Sequence, residues 1–231
     1  MISSAPRRAA SGFTLLELLV VVGLISAFSF ILINTLGTTR GAALQSAQGM
    51  LANLIVAART KAAASGQSSR ILIQFDATSN TAATRFLRHL VLQVQVSGTW
   101  QSLTEVYLPE GTYILPGNYA LPLGLLAATD TPWTRPSDNQ DMRSTALRSG
   151  NITVAAINGG TTEQWTGMVF SANGTTTNSN GALIVAAGRP RAPASYGSGE
   201  SPVELLHPEQ VRGLSISTYG VAALINSRAG F

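Results

Sequence analysis

Ser11-Gly12-Phe13-Thr14-Leu15-Leu16-Glu17-Leu18-Leu19-Val20-Val21-Val22-Gly23-Leu24-Ile25 is the stretch on which the reading of this 231-residue chain turns. A short polar segment precedes it, with Arg7 and Arg8 and no acid. The apolar run continues beyond it through Ala27, Phe28, Phe30, Ile31, Leu32 and Ile33, and Glu17 is the one charge between Phe13 and Thr39. As a helix, Phe13–Leu36 extends about 36 Å, enough for a hydrocarbon core of roughly 30 Å. Arg7 and Arg8 are expected to hold the short N-terminus in the cytoplasm, leaving the C-terminal bulk outside. An ordinary secretory signal has an apolar core of roughly 7–15 residues closed by a small-residue cleavage site, and this run is too long and lacks such a site. A plain membrane anchor accounts for length and orientation but leaves Glu17 unexplained. A carboxylate in mid-span costs on the order of 2.5–3.5 kcal/mol on insertion scales, and such residues are usually paired.

A third reading accounts for both. Gly12-Phe13-Thr14-Leu15-Leu16-Glu17-Leu18, behind a basic leader and inside an apolar run, resembles the cleavage and methylation motif of prepilins. That family comprises type IV pilins and the pseudopilins of type II secretion. The resemblance implies that a membrane aspartyl prepilin peptidase cuts between Gly12 and Phe13 on the cytoplasmic side and then N-methylates Phe13. It also implies that Glu17 is the family's acidic fifth mature residue, acting in subunit assembly. The chemistry suits these positions. Gly12 has no side chain to hinder an extended chain in a peptidase cleft. Cleavage would leave a cationic α-amine at the head of the helix, and Glu17 would lie roughly 6 Å further along its axis. A neighbouring subunit displaced by a similar amount would bring its amine beside this carboxylate, and the two charges, each costly alone in lipid, would neutralise one another.

Composition bounds the alternatives. Charged residues make up 11% of the chain, well under the roughly 25% of ordinary soluble domains, which fits a β-rich extracytoplasmic domain better than a cytosolic enzyme. The net charge is +4 and the pI near 10.0, from arginine and the single Lys61. Without Arg7 and Arg8, thirteen basic residues face eleven acids, so the charge balance says little about nucleic acid. No cysteine is present, which excludes a disulfide framework, a thiolate metal site and a cysteine nucleophile.

Beyond Thr39 the helical pattern persists. Leu44, Ala47, Leu51, Leu54, Ile55, Ala58 and Ala62 recur at three- and four-residue spacing and predict one apolar face, with Gln45, Gln48, Asn53, Arg59 and Lys61 mostly off it. Gly66 predicts the stop, and Gly37–Gly41 a kink or melted turn near the membrane exit. Strands are expected over 70–76, 85–96, 100–107, 151–157, 165–171 and 182–187, with a hairpin at Ser97-Gly98. A terminal hairpin is expected to join 211–217 and 221–225 around Thr218-Tyr219-Gly220, while 121–141 and 188–202 read as loops. The resulting expectation is an α+β, pilin-like fold. Residues 1–12 are a removed leader, 13–66 the helix with 13–36 transmembrane, and 67–231 a β-rich extracytoplasmic head.

Two later segments extend the resemblance. Phe170-Ser171-Ala172-Asn173-Gly174 is similar to the F-x-P-x-G segment of the pseudopilin H and minor pilin group, with Ala172 where proline is usual. Gly213–Val221 is similar to that group's closing strand pair. The implied role is a minor pilin or pseudopilin, a structural subunit without catalytic duty or cofactor. It would sit in the inner membrane as a single-pass protein with its head in the periplasm, or in a filament after assembly. Implied partners are the prepilin peptidase, other pilin or pseudopilin subunits and the inner-membrane assembly platform. Two other classes stay open: a minor pilin whose head binds DNA or a surface ligand, and an anchored hydrolase.

Few residues of the head suggest chemistry. His89 and His207 are isolated, no H-x-x-x-H or H-E-x-x-H spacing exists, and no G-x-S-x-G elbow is present. Asp130, Asp138, Asn139 and Asp141 are calcium candidates, without the EF-hand spacing, against a default of a solvated loop. Gly197-Ser198-Gly199 lacks the lysine and strand–helix context of a phosphate loop. Arg135, Arg143, Arg148, Arg189 and Arg191 could form a basic patch, but aromatic residues among them are few and a nucleic-acid partner is not expected.

Overall fold

The segment that carries the apolar face, Leu44 to Ala62, is helical throughout, and all seven residues of the predicted face are buried. In the computed structural model this segment belongs to α1, Leu15–Ser65. The structure describes residues 15–77, 82–117, 121–147, 152–154, 162–177 and 180–231. Gly12 and Phe13 therefore lie outside the described residues, as do the side chains of Glu17 and of 27–40. The chain divides into two units, Met1–Thr39 and Arg40–Phe231.

In the first unit the described residues are helical from Leu15, and the helix continues through Gly37–Gly41 without the expected melted turn. Leu15, Leu18, Leu19, Val20, Val21, Val22, Leu24 and Ile25 are exposed in the single chain. The Ser26 hydroxyl donates to the Val22 carbonyl at 2.9 Å, which satisfies it within the helix. Among the described residues no helix is long and apolar enough to cross a membrane, and the span expected over 13–36 includes residues outside that set.

In the second unit α1 ends at Ser65. Gly66 takes φ +64°, the left-handed conformation that stops a helix at little cost when no Cβ is present. Among the described residues ten strands follow, all antiparallel where they pair. One sheet has the order β3-β2-β1-β6-β5, built from β1 Ser69–Gln74, β2 His89–Val96, β3 Thr99–Tyr107, β5 Ile152–Val154 and β6 Glu163–Phe170. The other has the order β10-β9-β7-β4, from β4 Thr112–Ile114, β7 Gly181–Pro190, β9 Val211–Ile216 and β10 Ala222–Ile225, with β8 Val203–Leu205 also paired to β7. The buried face of α1 joins both sheets in one core, meeting Ile71, Ile73, Leu90, Leu92, Met168 and Phe170 of the first and Leu183, Val211, Leu214 and Ile216 of the second. Strand alternation puts Leu72, Val91 and Trp165 on the opposite face of the first sheet, where they form a second, smaller cluster. The chain is thus α+β.

Several expectations are corrected. The strand expected over 85–96 is a short helix, α2 Ala82–Arg85, then a turn, and only then β2. Leu87 forces the break: its φ is +58°, its N–H donates to the Gln74 carbonyl and its carbonyl accepts from Ile114 N–H. A left-handed leucine persists only when its surroundings over-determine it, and this side chain is fully buried. The loop expected from Gly188 begins only after Pro190, because Gly188–Pro190 pair with Val203–Leu205. Of the strand expected over 151–157, Ile152–Val154 is a strand and the remainder lies outside the described residues. The expected hairpins at Ser97-Gly98 and around Thr218-Tyr219-Gly220 are present.

Candidate functional site

Of the residues that carried the sequence argument, Gly12 and Phe13 lie outside the described residues and Glu17 is described only by its helical backbone, so the functional geometry of the head is built from other elements.

Gln48 sits on the buried side of α1, contrary to its expected place off the apolar face. Its Nε2 donates to the carbonyls of Gly213 at 2.7 Å and Ile225 at 2.9 Å. Those two residues face each other across β9 and β10, so one side chain ties the helix to the terminal hairpin. Nearer the helix end, Ser69 Oγ donates to the Ala58 carbonyl at 2.7 Å and fixes β1 beneath α1.

The two segments singled out by resemblance come together beside the helix. Thr176 N–H donates to the Thr218 carbonyl at 2.9 Å, linking the turn after Phe170 to the β9–β10 turn. Gly220 has φ +70°, and a Cβ there would lie 2.7 Å from the Gly174 carbonyl oxygen and 3.2 Å from Arg59 Cδ. Backbone therefore meets backbone at a spacing that only glycine permits.

On the outer face of the first sheet, α2, β2, β3 and β6 supply an ionic and aromatic cluster. Arg85 forms a two-pronged pair with Glu163, Nη1 to Oε1 at 2.7 Å and Nη2 to Oε2 at 3.2 Å. The same guanidinium donates to His89 Nδ1 from Nε at 3.2 Å, with Nη2 at 3.1 Å. His89 Nε2 lies 3.2 Å from Glu105 Oε2. The imidazole stacks on Tyr107 with centroids 4.5 Å apart and meets the edge of Trp165 at 5.2 Å. Burial and the adjacent Arg85 guanidinium push the His89 pKa down, and together outweigh the opposing pull of Glu105 and Glu163. Register explains the juxtaposition, since His89 faces Tyr107 and Val91 faces Glu105 across β2 and β3. Alternation along 89–95 signalled the strand, but nothing in the sequence tied Arg85 to Glu163, which lie 78 residues apart.

Further along that face, Arg70 donates to Gln93 at 2.7 Å and lies 4.2 Å above the Trp100 ring. Burial lowers its pKa to about 10, so it stays cationic at neutral pH.

The calcium candidates are not gathered. Arg135 pairs with Asp138, Arg143 pairs with Asp141, and Asn139 takes φ +56° in the turn between them. Asp130 instead lines a cleft of about 450 Å³ with Thr129, Thr131, His207 and Glu209. Among the described residues no three His, Cys, Asp or Glu side chains come together as a metal site requires. The arginines of the supposed basic patch are neutralised locally: besides the two pairs above, Arg189 meets Glu204 at 2.8 Å and Arg191 meets Glu200 at 3.4 Å. Arg148 lies outside the described residues.

No protein-family model matches the chain, and no curated protein matches it by sequence. Two solved structures are similar to it, both of the minor pseudopilin EpsH from the type II secretion system of Vibrio cholerae. One is 15% identical with a TM-score of 0.37, over 79% of this chain and 95% of that one. The other is 15% identical with a TM-score of 0.36, over 79% of this chain and 94% of that one. A likeness this distant transfers no role.

Proposed function

We propose that the chain is a pilin-like structural subunit, a minor pilin or pseudopilin, that is cut between Gly12 and Phe13 and assembles into a filament through its N-terminal helix. The observation that carries this reading is the order of features along the sequence: basic leader, Gly12, Phe13, and Glu17 four positions on inside a long apolar run. The burial of Leu44 to Ala62 against two sheets agrees with it, since the reading requires a helix whose outer half belongs to a β-rich head. In this reading 13–36 lies in the inner membrane before assembly, the head is periplasmic, and the Phe13 amine of one subunit neutralises Glu17 of another. The partners are the prepilin peptidase, other pilin or pseudopilin subunits and the assembly platform, and no catalytic role is assigned.

Mass spectrometry of the native N-terminus tests this. The expected mature chain begins at N-methylated Phe13. A native chain that retains residues 1–12, or begins elsewhere, leaves an anchored β-rich protein and removes the filament reading.

A further inference from the structure

We infer that the Arg85–His89–Glu105–Glu163 cluster is an acid-sensitive latch that closes α2 onto the outer face of the first sheet at neutral pH and opens on acidification. The inference rests on geometry within the head and does not depend on the filament reading.

The latch joins four elements. Arg85 comes from α2, His89 from β2, Glu105 and Tyr107 from β3, and Glu163 and Trp165 from β6. The hydrogen bonds fix the tautomer of His89. Arginine can only donate, so Nδ1 accepts from Arg85 and must be unprotonated, while Nε2–H donates to Glu105. His89 is 1% exposed, so its charged form has no water to turn to.

Protonation places a hydrogen on Nδ1, facing the guanidinium. The Arg85 bond to the ring is then lost, and two cations lie about 3 Å apart. Every charged group that faces the ring bears on its charge state. Glu105 favours the imidazolium, but its carboxylate is 41% exposed and therefore screened. Glu163 also favours it, but both of its oxygens already hold Arg85. Tyr107 and Trp165 meet the imidazole with their ring faces and edges. The charged imidazole is thus the disfavoured form, and relief comes from separating α2 from β2. Trp165, Val91 and Leu72 lie beneath, so the opened face presents apolar surface.

The sign follows from linkage. His89 has a folded pKa below its ordinary 6.5. The closed form is therefore fully stabilised above pH 6.5, loses stability as pH falls below that value, and stops losing it below the folded pKa. The closed-to-open equilibrium constant falls at most tenfold for each unit by which the folded pKa lies below 6.5.

The test uses the full chain in detergent micelles, with hydrogen exchange followed by mass spectrometry between pH 7.5 and about 5.5, a full unit above the ordinary carboxylate midpoint of about 4.3. Rates are corrected for the intrinsic pH dependence of exchange, and the ring titration of His89 is followed in parallel by NMR. The expected result is loss of protection in peptides covering 82–92 and 163–166, by at most the tenfold factor per unit that the NMR midpoint dictates. His89→Gln should abolish the pH dependence, and His207→Gln should leave it intact. Glu105→Gln, which removes a group favouring the charged ring, should move the midpoint to lower pH. Protection that stays constant across the range overturns the latch, as does an unchanged pH response in His89→Gln or an upward midpoint shift in Glu105→Gln. Should His89→Gln prove too unstable to measure, the Glu105→Gln midpoint decides alone.

Discussion

Replacing Gln48 tests how α1 is fastened to the terminal hairpin. Its amide makes two hydrogen bonds, to Gly213 and Ile225 carbonyls, and the residue is 2% exposed. Gln48→Leu removes both bonds. At about 1 kcal/mol net per bond, with an added penalty for carbonyls left buried, the loss is about 2–3 kcal/mol. The leucine recovers about 1 kcal/mol of that through extra apolar burial. The expected net destabilisation is about 1–2 kcal/mol. Gln48→Glu is the sharper variant. An ionised carboxylate would face two carbonyl oxygens with no donor, and a protonated one could satisfy only one of them. It should cost more than the leucine variant, and its deficit should shrink on acidification, because the introduced carboxyl has a raised pKa in the folded state and is favoured there when neutral. Urea unfolding of the full chain in micelles, followed by tryptophan fluorescence at pH 5 and pH 8, measures both variants. A leucine variant as stable as the parent, or a glutamate variant no worse than leucine at pH 8, refutes the assignment of these bonds.

Gly220→Ala should lower stability by roughly 1–2 kcal/mol from the left-handed backbone alone, and by more once the 2.7 Å approach to the Gly174 carbonyl is relieved, read as a lower thermal midpoint. Gly12→Ala should block or slow maturation, and a gel showing mature protein at the parent rate would contradict it. Glu17→Ala should leave cleavage intact but impair incorporation into filaments, and normal assembly of that variant would count against the pairing with the Phe13 amine. The head should show no salt-dependent DNA shift at low salt, because Arg135, Arg143, Arg189 and Arg191 each have a carboxylate partner within the head, and a clear shift would revive the binding-module reading.

Local periodicity made much of the fold legible before any coordinates. The apolar positions of the buried face of α1 were readable because helical burial repeats at 3.6 and seven residues kept that register. Gly66 and the Ser97-Gly98 turn were readable because positive φ selects a small set of residues. Leu87 escaped for the converse reason: a leucine carries no left-handed signal, and only its bonds to Gln74 and Ile114 force the turn. Gln48 escaped because a polar residue was assigned to solvent, whereas sheet carbonyls distant in sequence could pay for its burial. The His89 cluster was invisible for a related reason, since its charge partners come from separate elements that only the sheet order brings together. Glu17 is the reverse case, singled out in sequence while its side chain lies outside the described residues, so its role stands as a proposal.

The two units handle apolar surface differently, and the difference bears on assembly. In the second unit, Leu44 to Ala62 find their cover within the chain. In the first, Leu15, Leu18, Leu19, Val20, Val21, Val22, Leu24 and Ile25 are all exposed in the single chain. Leaving eight such side chains in water forgoes on the order of 10 kcal/mol, comparable with the whole stability of a domain. Lipid and neighbouring helices can both supply that cover, so apolar burial alone does not choose between an anchor and a filament. On the proposed filament reading Glu17 makes the choice, because hydrocarbon offers a carboxylate no counter-charge whereas the amine of an adjacent processed subunit would. On that reading an unpaired acid at position 17 makes the lipid-surrounded helix the costlier state, and a register that brought amine to carboxylate would remove that cost.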